Sequence, residues 1–120
     1  MIGEGSSGGA LALCVADKIL MLENAVYSIL SPEGFASILY KDASKQKEAA
    51  ENMRLTAKDL KDFEVIDVII DEPEGGAQKD FLAVAQTIKE TIEKSLEELE
   101  SKDVTIMLEE RYQKFRKIGR

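Results

Sequence analysis

Histidine is absent from this sequence and cysteine occurs once, as Cys14. A single thiol excludes an internal disulfide and fits a reducing compartment. Without histidine, the chain holds no Ser-His or Cys-His nucleophile pair and no ordinary zinc site, so the expected metal content is none. No stretch approaches the ~20 apolar residues of a membrane span, and no basic segment opens a signal peptide. Cytoplasm is the default compartment, with no membrane partner. Internal repeats and low-complexity linkers are missing as well. No Gly-Lys pair follows the glycine-rich start, which removes the phosphate-loop signature.

What is present is one domain's worth of globular sequence. The 120 residues are 44% hydrophobic and 32% charged, with a net charge of −7. This balance argues against nucleic acid as the main partner. The charge is uneven. The C-terminal stretch carries Arg111, Lys114, Arg116, Lys117 and Arg120 against Glu109 and Glu110. Such a basic end reads first as a solvated helix terminus favoured by the macrodipole. Cys14 lies in an apolar run and reads as a small hydrophobe.

The opening segment Gly3-Glu4-Gly5-Ser6-Ser7-Gly8-Gly9 places four glycines ahead of the uncharged run Ala10 to Ala16. Glycines let a backbone turn sharply and approach a ligand closely. A helix starting there offers unpaired N–H groups to negative charge. Three readings stand at this point. Gly3-x-Gly5-x-x-Gly8 fits a dinucleotide fingerprint, with Glu23 as the ribose acid. Gly8 and Gly9 fit an oxyanion hole. The glycines also fit a tight turn with close helix packing and no ligand. Only Met1 and Ile2 precede the glycines, so the strand expected to feed the loop is missing. The chain reads as the back part of something longer.

The remaining pattern is α/β. A buried helix is expected over 8–16, with Ala12 toward the core. Ile19 to Leu22 reads as a strand covered on both faces, Glu23-Asn24-Ala25 as a turn, and Val26 to Leu30 as a second strand. Ser31-Pro32-Glu33-Gly34 starts a helix, Ser31 capping and Glu33 suiting the positive end. A further helix runs from Ser44 to about Met53, with Ala49, Ala50 and Met53 on one face. Thr56-Ala57-Lys58-Asp59 resembles a capping box. Val65 to Ile70 is a third strand candidate, and Glu72-Pro73-Glu74-Gly75-Gly76 is a loop. From Phe81 the pattern is helical, with Ala85, Ile88, Ile92, Leu96 and Leu99 recurring at spacings of three and four. A break at Ser101-Lys102-Asp103 precedes a last helix, about Val104 to Lys117.

The blocks GEGSSGGALALCVADKILMLENAVYSILSPEGFASILYKDASK, LTAKDLKDFEVID, EPEGGA and RYQKFRKIG, in this order and spacing, closely resemble the bacterial-type carboxyltransferase alpha subunit of acetyl-coenzyme A carboxylase. The likeness runs over nearly all 120 residues and covers the C-terminal part of such a subunit. It implies the crotonase-like spiral fold of stacked β-β-α units, here truncated at its N-terminus. Residues 1–120 are then one incomplete domain, with an α/β core portion at 1–80 and a helical extension at 81–120. The implied function is transfer of a carboxyl group from carboxybiotin, held on biotin carboxyl carrier protein, to acetyl-CoA, giving malonyl-CoA for fatty-acid biosynthesis. The implied partners are a zinc-bearing beta subunit and the carrier protein, in an oligomer with two of each subunit. The alpha subunit supplies mainly the biotin side. By itself this stretch is expected to be inactive.

The resemblance also implies that the Gly8 and Gly9 N–H groups stabilise the ureido oxygen of biotin. Ser7, Gly75 and Gly76 are carried over as substrate-binding. Family members commonly have glycine where this chain has Ser6, often glycine at Cys14, and histidine at Gln78. The alternatives kept beside this reading are an inactive structural fragment and a dinucleotide-binding module.

Overall fold

The computed structural model describes residues 1–119. Three parallel strands form one sheet in the order β1-β2-β3, with β1 at Ile2–Ser6, β2 at Leu20–Ser28 and β3 at Val68–Ile70. Helix α1 (Ser7–Cys14) connects β1 to β2. The fold class is therefore mixed α/β with a small parallel sheet.

Two expectations are corrected here. The strand thought to be missing is made by the glycine segment itself. Gly3 and Gly5 are strand residues, and β1 pairs through Ile2 with Met21, Glu4 with Val26, Gly5 with Tyr27 and Ser6 with Ser28. The two strands expected over 19–30 are one strand. Between Ile2 and Glu4 the partner on β2 advances from Met21 to Val26, so extra residues bulge out around Glu23 and Asn24. Glu72 stabilises the bulge. The Asn24 N–H donates to Glu72 Oε2 at 2.7 Å, and the Glu72 N–H donates to Glu23 Oε2 at 3.1 Å. A bulge keeps its strand in the sheet once its freed backbone groups find partners, which is why the polar pair did not end β2.

The main core joins Ile2, Ile19, Met21, Ala25 and Tyr27 of the sheet region to Ala10 of α1 and to Ala57, Leu60 and Ile66 around α4 (Ala57–Asp62). Helix α4 starts as its sequence demands. The Asp59 N–H donates to Thr56 Oγ1 at 3.3 Å, and the Thr56 hydroxyl donates back to Asp59 at 2.6 Å. Helix α1 does not bury itself as an all-apolar helix should. Only Ala10 is buried, Ala12 is exposed, and Leu11 and Val15 are 60% and 65% exposed. The sheet is too narrow to cover more than one line of side chains.

Residues 31–53 form a helical subassembly. The Gly34 N–H donates to Ser31 Oγ at 3.2 Å, capping α2 (Pro32–Phe35), which continues as a π-helical turn over Ala36–Tyr40. Glu33 stands in the first turn of α2, where a negative charge suits the helix dipole. A 3-10 turn (Ala43–Lys45), capped by Asp42, leads into α3 (Gln46–Met53). Ala36 and Ala49 are its buried contacts, while Ala50 is exposed.

Helix α5 (Phe81–Glu100) lies against β3, and α6 (Val104–Lys117) follows the expected break. The Asp80 side chain caps α5 and Asp103 caps α6. The α5 face that packs carries Val84 and Ser95, and much of the predicted stripe stays in solvent, with Leu96 51% exposed. The molecule measures 49 × 38 × 22 Å and exposes 8132 Å². A compact chain of this mass exposes about 6,500 Å². Apolar side chains supply part of the excess, Phe81 and Leu82 among them.

Candidate functional site

The glycines divide into three kinds once their surroundings are compared. Gly5 is a packing glycine: a Cβ there would lie 2.8 Å from Tyr27 Cδ2. Gly75 and Gly76 are turn glycines, with φ of +89° and +97°. Gly8 and Gly9 are neither. Their φ values are ordinary, and a Cβ on either would meet nothing within 4 Å. Both lie in the first turn of α1, where N–H groups have no intrahelical acceptor, and Ser6 supplies no capping hydrogen bond. The junction thus combines uncapped first-turn N–H groups with side-chain space left empty, just past the C-terminal end of a parallel strand. That end of an α/β sheet is where ligands bind.

The backbone strain sits one residue earlier. Ser7 has φ +56°, a left-handed conformation that glycine adopts most easily. No pattern in the sequence marked it. Ser6 has φ −146°, extended backbone that any residue adopts, so a serine in place of glycine leaves the turn unaltered.

Behind the junction, Tyr27 fixes α1. It is 7% exposed, and its hydroxyl donates to the Ala10 carbonyl. Burial pushes the Tyr27 hydroxyl up to about 12, and the adjacent Cys14 adds to the rise. The Cys14 thiol donates to the Leu11 carbonyl at 3.1 Å.

The other predicted site residues lie apart from this junction. The loop with Gly75 and Gly76 is tied through Glu72 to Asn24, four residues short of Ser28, where β1 ends beside β2. That is roughly 13 Å along the strand. Gln78 pins the loop, its Nε2 donating to the Gly75 carbonyl at 2.7 Å. The dinucleotide reading loses its geometry, because Gly3 and Gly5 are inside β1 and Glu23 accepts from the Glu72 N–H. Among the described residues, no cluster of three or more His, Cys, Asp or Glu could hold a metal ion. Among the described residues, no helix is long and apolar enough to cross a membrane.

The basic C-terminal end is also not simply solvated. Lys114 Nζ meets Asp67 Oδ2 at 2.5 Å, and Arg111 Nη1 lies 3.3 Å from Asp17. Two cations of the RYQKFRKIG block, Arg111 and Lys114, bind acids of the same chain.

Residues 1–119 match the family described as acetyl co-enzyme A carboxylase carboxyltransferase-like. The chain belongs to this family. It is 58% identical over 120 residues to the acetyl-coenzyme A carboxylase carboxyl transferase subunit alpha of Clostridium acetobutylicum, covering all of this chain and 44% of that protein. Over 118 residues it is 58% identical to the subunit of the same name from Clostridium perfringens strain 13, covering 98% of this chain and 44% of that protein. A protein of Natranaerobius thermophilus named carboxyl transferase subunits beta/alpha is 57% identical over 120 residues, which are 20% of its length. The chain therefore spans less than half the length of these relatives.

Proposed function

We propose that this chain forms the biotin-side portion of a carboxyltransferase alpha subunit within a crotonase-like fold. The observation that carries the reading is at Gly8 and Gly9. Neither backbone conformation nor packing within the chain requires glycine there, a Cβ on either would meet nothing within 4 Å, and both residues lie in the first turn of a helix. Glycine at both positions keeps that space clear for a flat ring system.

Carboxybiotin, delivered on its carrier protein, supplies the carboxyl group and gathers negative charge on its ureido oxygen as that group leaves. The Gly8 and Gly9 N–H groups donate to this oxygen. They are fixed dipoles at a helix N-terminus and need no protonated side chain. The absence of histidine from the sequence is compatible with this chemistry. Ser7 shapes the turn and presents its hydroxyl beside the ring. Gly75 and Gly76 set the form of a loop farther along the sheet, at the rim of the biotin pocket. Acetyl-CoA is held mainly by a zinc-bearing beta partner, malonyl-CoA is the product, and the reaction serves fatty-acid synthesis in the cytoplasm. Residues 81–120 act as a helical extension to the α/β portion at 1–80.

The test is Gly9→Val in the full-length alpha subunit assembled with its beta partner. Valine keeps this N–H, but its branches would hold the ureido oxygen away from it, and an oxyanion donor out of reach costs on the order of 10²–10³ in rate. The added branches would also occupy the space over the turn. Carboxyl transfer should fall at least that far, with assembly and acetyl-CoA binding intact. Retention of more than about a tenth of the wild-type rate, well above that expectation, would mean that Gly9 does not face the reacting group.

A further inference from the structure

Helix α6 is attached to the rest of the molecule in an unusual way. It has no buried residue. Its hold on the core is chiefly polar. Lys114, with a side chain 15% exposed, pairs with Asp67 at 2.5 Å and donates to the Asp17 carbonyl at 3.4 Å. Arg111 donates to Asp17 Oδ2 at 3.3 Å. The other carboxylate oxygen of Asp17 is buried and accepts no hydrogen bond, although Arg111 lies within ion-pair range. Buried polar atoms are nearly always satisfied, so this seat is incompletely matched to its helix. Around it, Lys18 pairs with Glu98 of α5, Lys102 pairs with Glu110, and Lys61 donates to the Asp67 carbonyl.

Beneath α6 lies space rather than a packed interface. A polar cavity of about 300 Å³ sits among the ion pairs. Beside it, an apolar pocket of about 260 Å³ is lined by Ala10, Leu11 and Cys14 of α1, by Tyr27, and by Phe115 and Ile118 from the end of α6. Well-packed interiors leave few voids larger than a water molecule. Here two concavities, both open to solvent, flank the helix where a packed seat would leave none.

We propose that α6 is a charge-held strap that swings on the Ser101–Asp103 break and opens or closes the apolar pocket behind α1. Closed, the Phe115 and Ile118 side chains wall the pocket and back the α1 turn that carries Cys14. Released, α6 leaves the pocket and the half-buried Cys14 thiol more open to solvent while the sheet stays intact. The ion pairs set the balance, because no residue of α6 is fully buried and only Met107 and Phe115 are half-buried apolar groups. The device is independent of the carboxyl-transfer reading and is tested without measuring activity.

Cys14 is the reporter, since it lines the pocket and is the chain's one cysteine. Its labelling by a small thiol reagent is followed by peptide mass spectrometry in the full-length subunit. Lys114→Met should speed labelling about tenfold, the factor for an opening equilibrium that loses a largely buried charge-assisted hydrogen bond. Lys114→Arg should stay within about twofold of wild type, since it keeps the charge. The wild-type rate should climb between about 0.02 and 0.5 M salt, as screening shortens to a few ångström. Hydrogen exchange should rise over Val104–Lys117 and stay low over Leu20–Leu22. A Cys14 rate unmoved by both Lys114→Met and salt overturns the proposal. So does faster labelling with equal loss of protection in β2, which is general unfolding rather than release of a strap.

Discussion

Replacing Gly5 with alanine separates the glycine that builds the fold from the glycines that face the ligand. The new Cβ would stand 2.8 Å from Tyr27 Cδ2, 3.1 Å from Cε2 and 3.5 Å from Leu13 Cδ1. The first contact is closer than real Cβ atoms approach, so the ring or the strand must shift. The ring has little freedom, being 7% exposed and tethered through its hydroxyl to the Ala10 carbonyl. Overpacking of this kind destabilises by about 1–3 kcal/mol. With an unfolding entropy of about 2.1 cal/mol/K per residue, a chain of this size should melt roughly 4–12 °C lower. Gly9→Ala is the control. It meets nothing within 4 Å and replaces a helical glycine, so its melting temperature should hold or rise by up to about 4 °C. Thermal unfolding followed by circular dichroism reads both. A Gly5→Ala melt within about 1 °C of wild type, where about 4 °C or more is expected, refutes the packing argument. A Gly9→Ala melt lowered as far as that of Gly5→Ala refutes the distinction between the two kinds of glycine.

Ser7→Gly should raise the melting temperature by about 4 °C, because it relieves roughly 1 kcal/mol of left-handed strain; an unchanged melt would mean the strain is not there. Tyr27 ionises near 10.0 when unfolded and is held up to about 12 when folded, so its stabilising effect is full below pH 10 and is lost as pH rises through 12. Unfolding midpoints measured across that window should fall more steeply for wild type than for Tyr27→Phe, and parallel curves would exclude a role for this hydroxyl. Phe81→Lys combined with Leu96→Lys should reduce self-association in sedimentation with little change in melting, since the two side chains are 73% and 51% exposed. Equal association in both proteins would place the sticky surface elsewhere.

The sequence made the long helices legible because their limits are written locally. The Ser101-Lys102-Asp103 break and the periodic run from Phe81 place α5 and α6 where the structure has them, as Ser31-Pro32 does for α2. Burial was less legible. The apolar run over α1 and the stripe on α5 both predict covered faces, but a three-stranded sheet offers each of them only a narrow line of contact. Glu23-Asn24 read as a turn because polar pairs usually end strands, and the carboxylate that rescues them, Glu72, lies 48 residues away. At the candidate site, the pattern pointed to Gly8 and Gly9, and the structure supplies the reason to separate them from Gly5. The left-handed Ser7 and the pairing of Arg111 and Lys114 with Asp17 and Asp67 depend on three-dimensional closure that no local spacing records.

The order of the sheet has a kinetic consequence. β1 reaches β2 across a short helical crossover, pairing Ile2 with Met21, whereas β2 reaches β3 only after the whole helical subassembly and α4 have been spanned, pairing Leu20 with Val68. Closing a longer loop loses more chain entropy before any contact rewards it, and non-local pairings slow folding. The β1-α1-β2 unit should therefore assemble first and carry the Gly8–Gly9 turn with it. β3 and the α5 helix that rests on it would dock later. During that interval the β3-facing edge of β2, including Leu20 and Met21, would be open to any other strand that arrives.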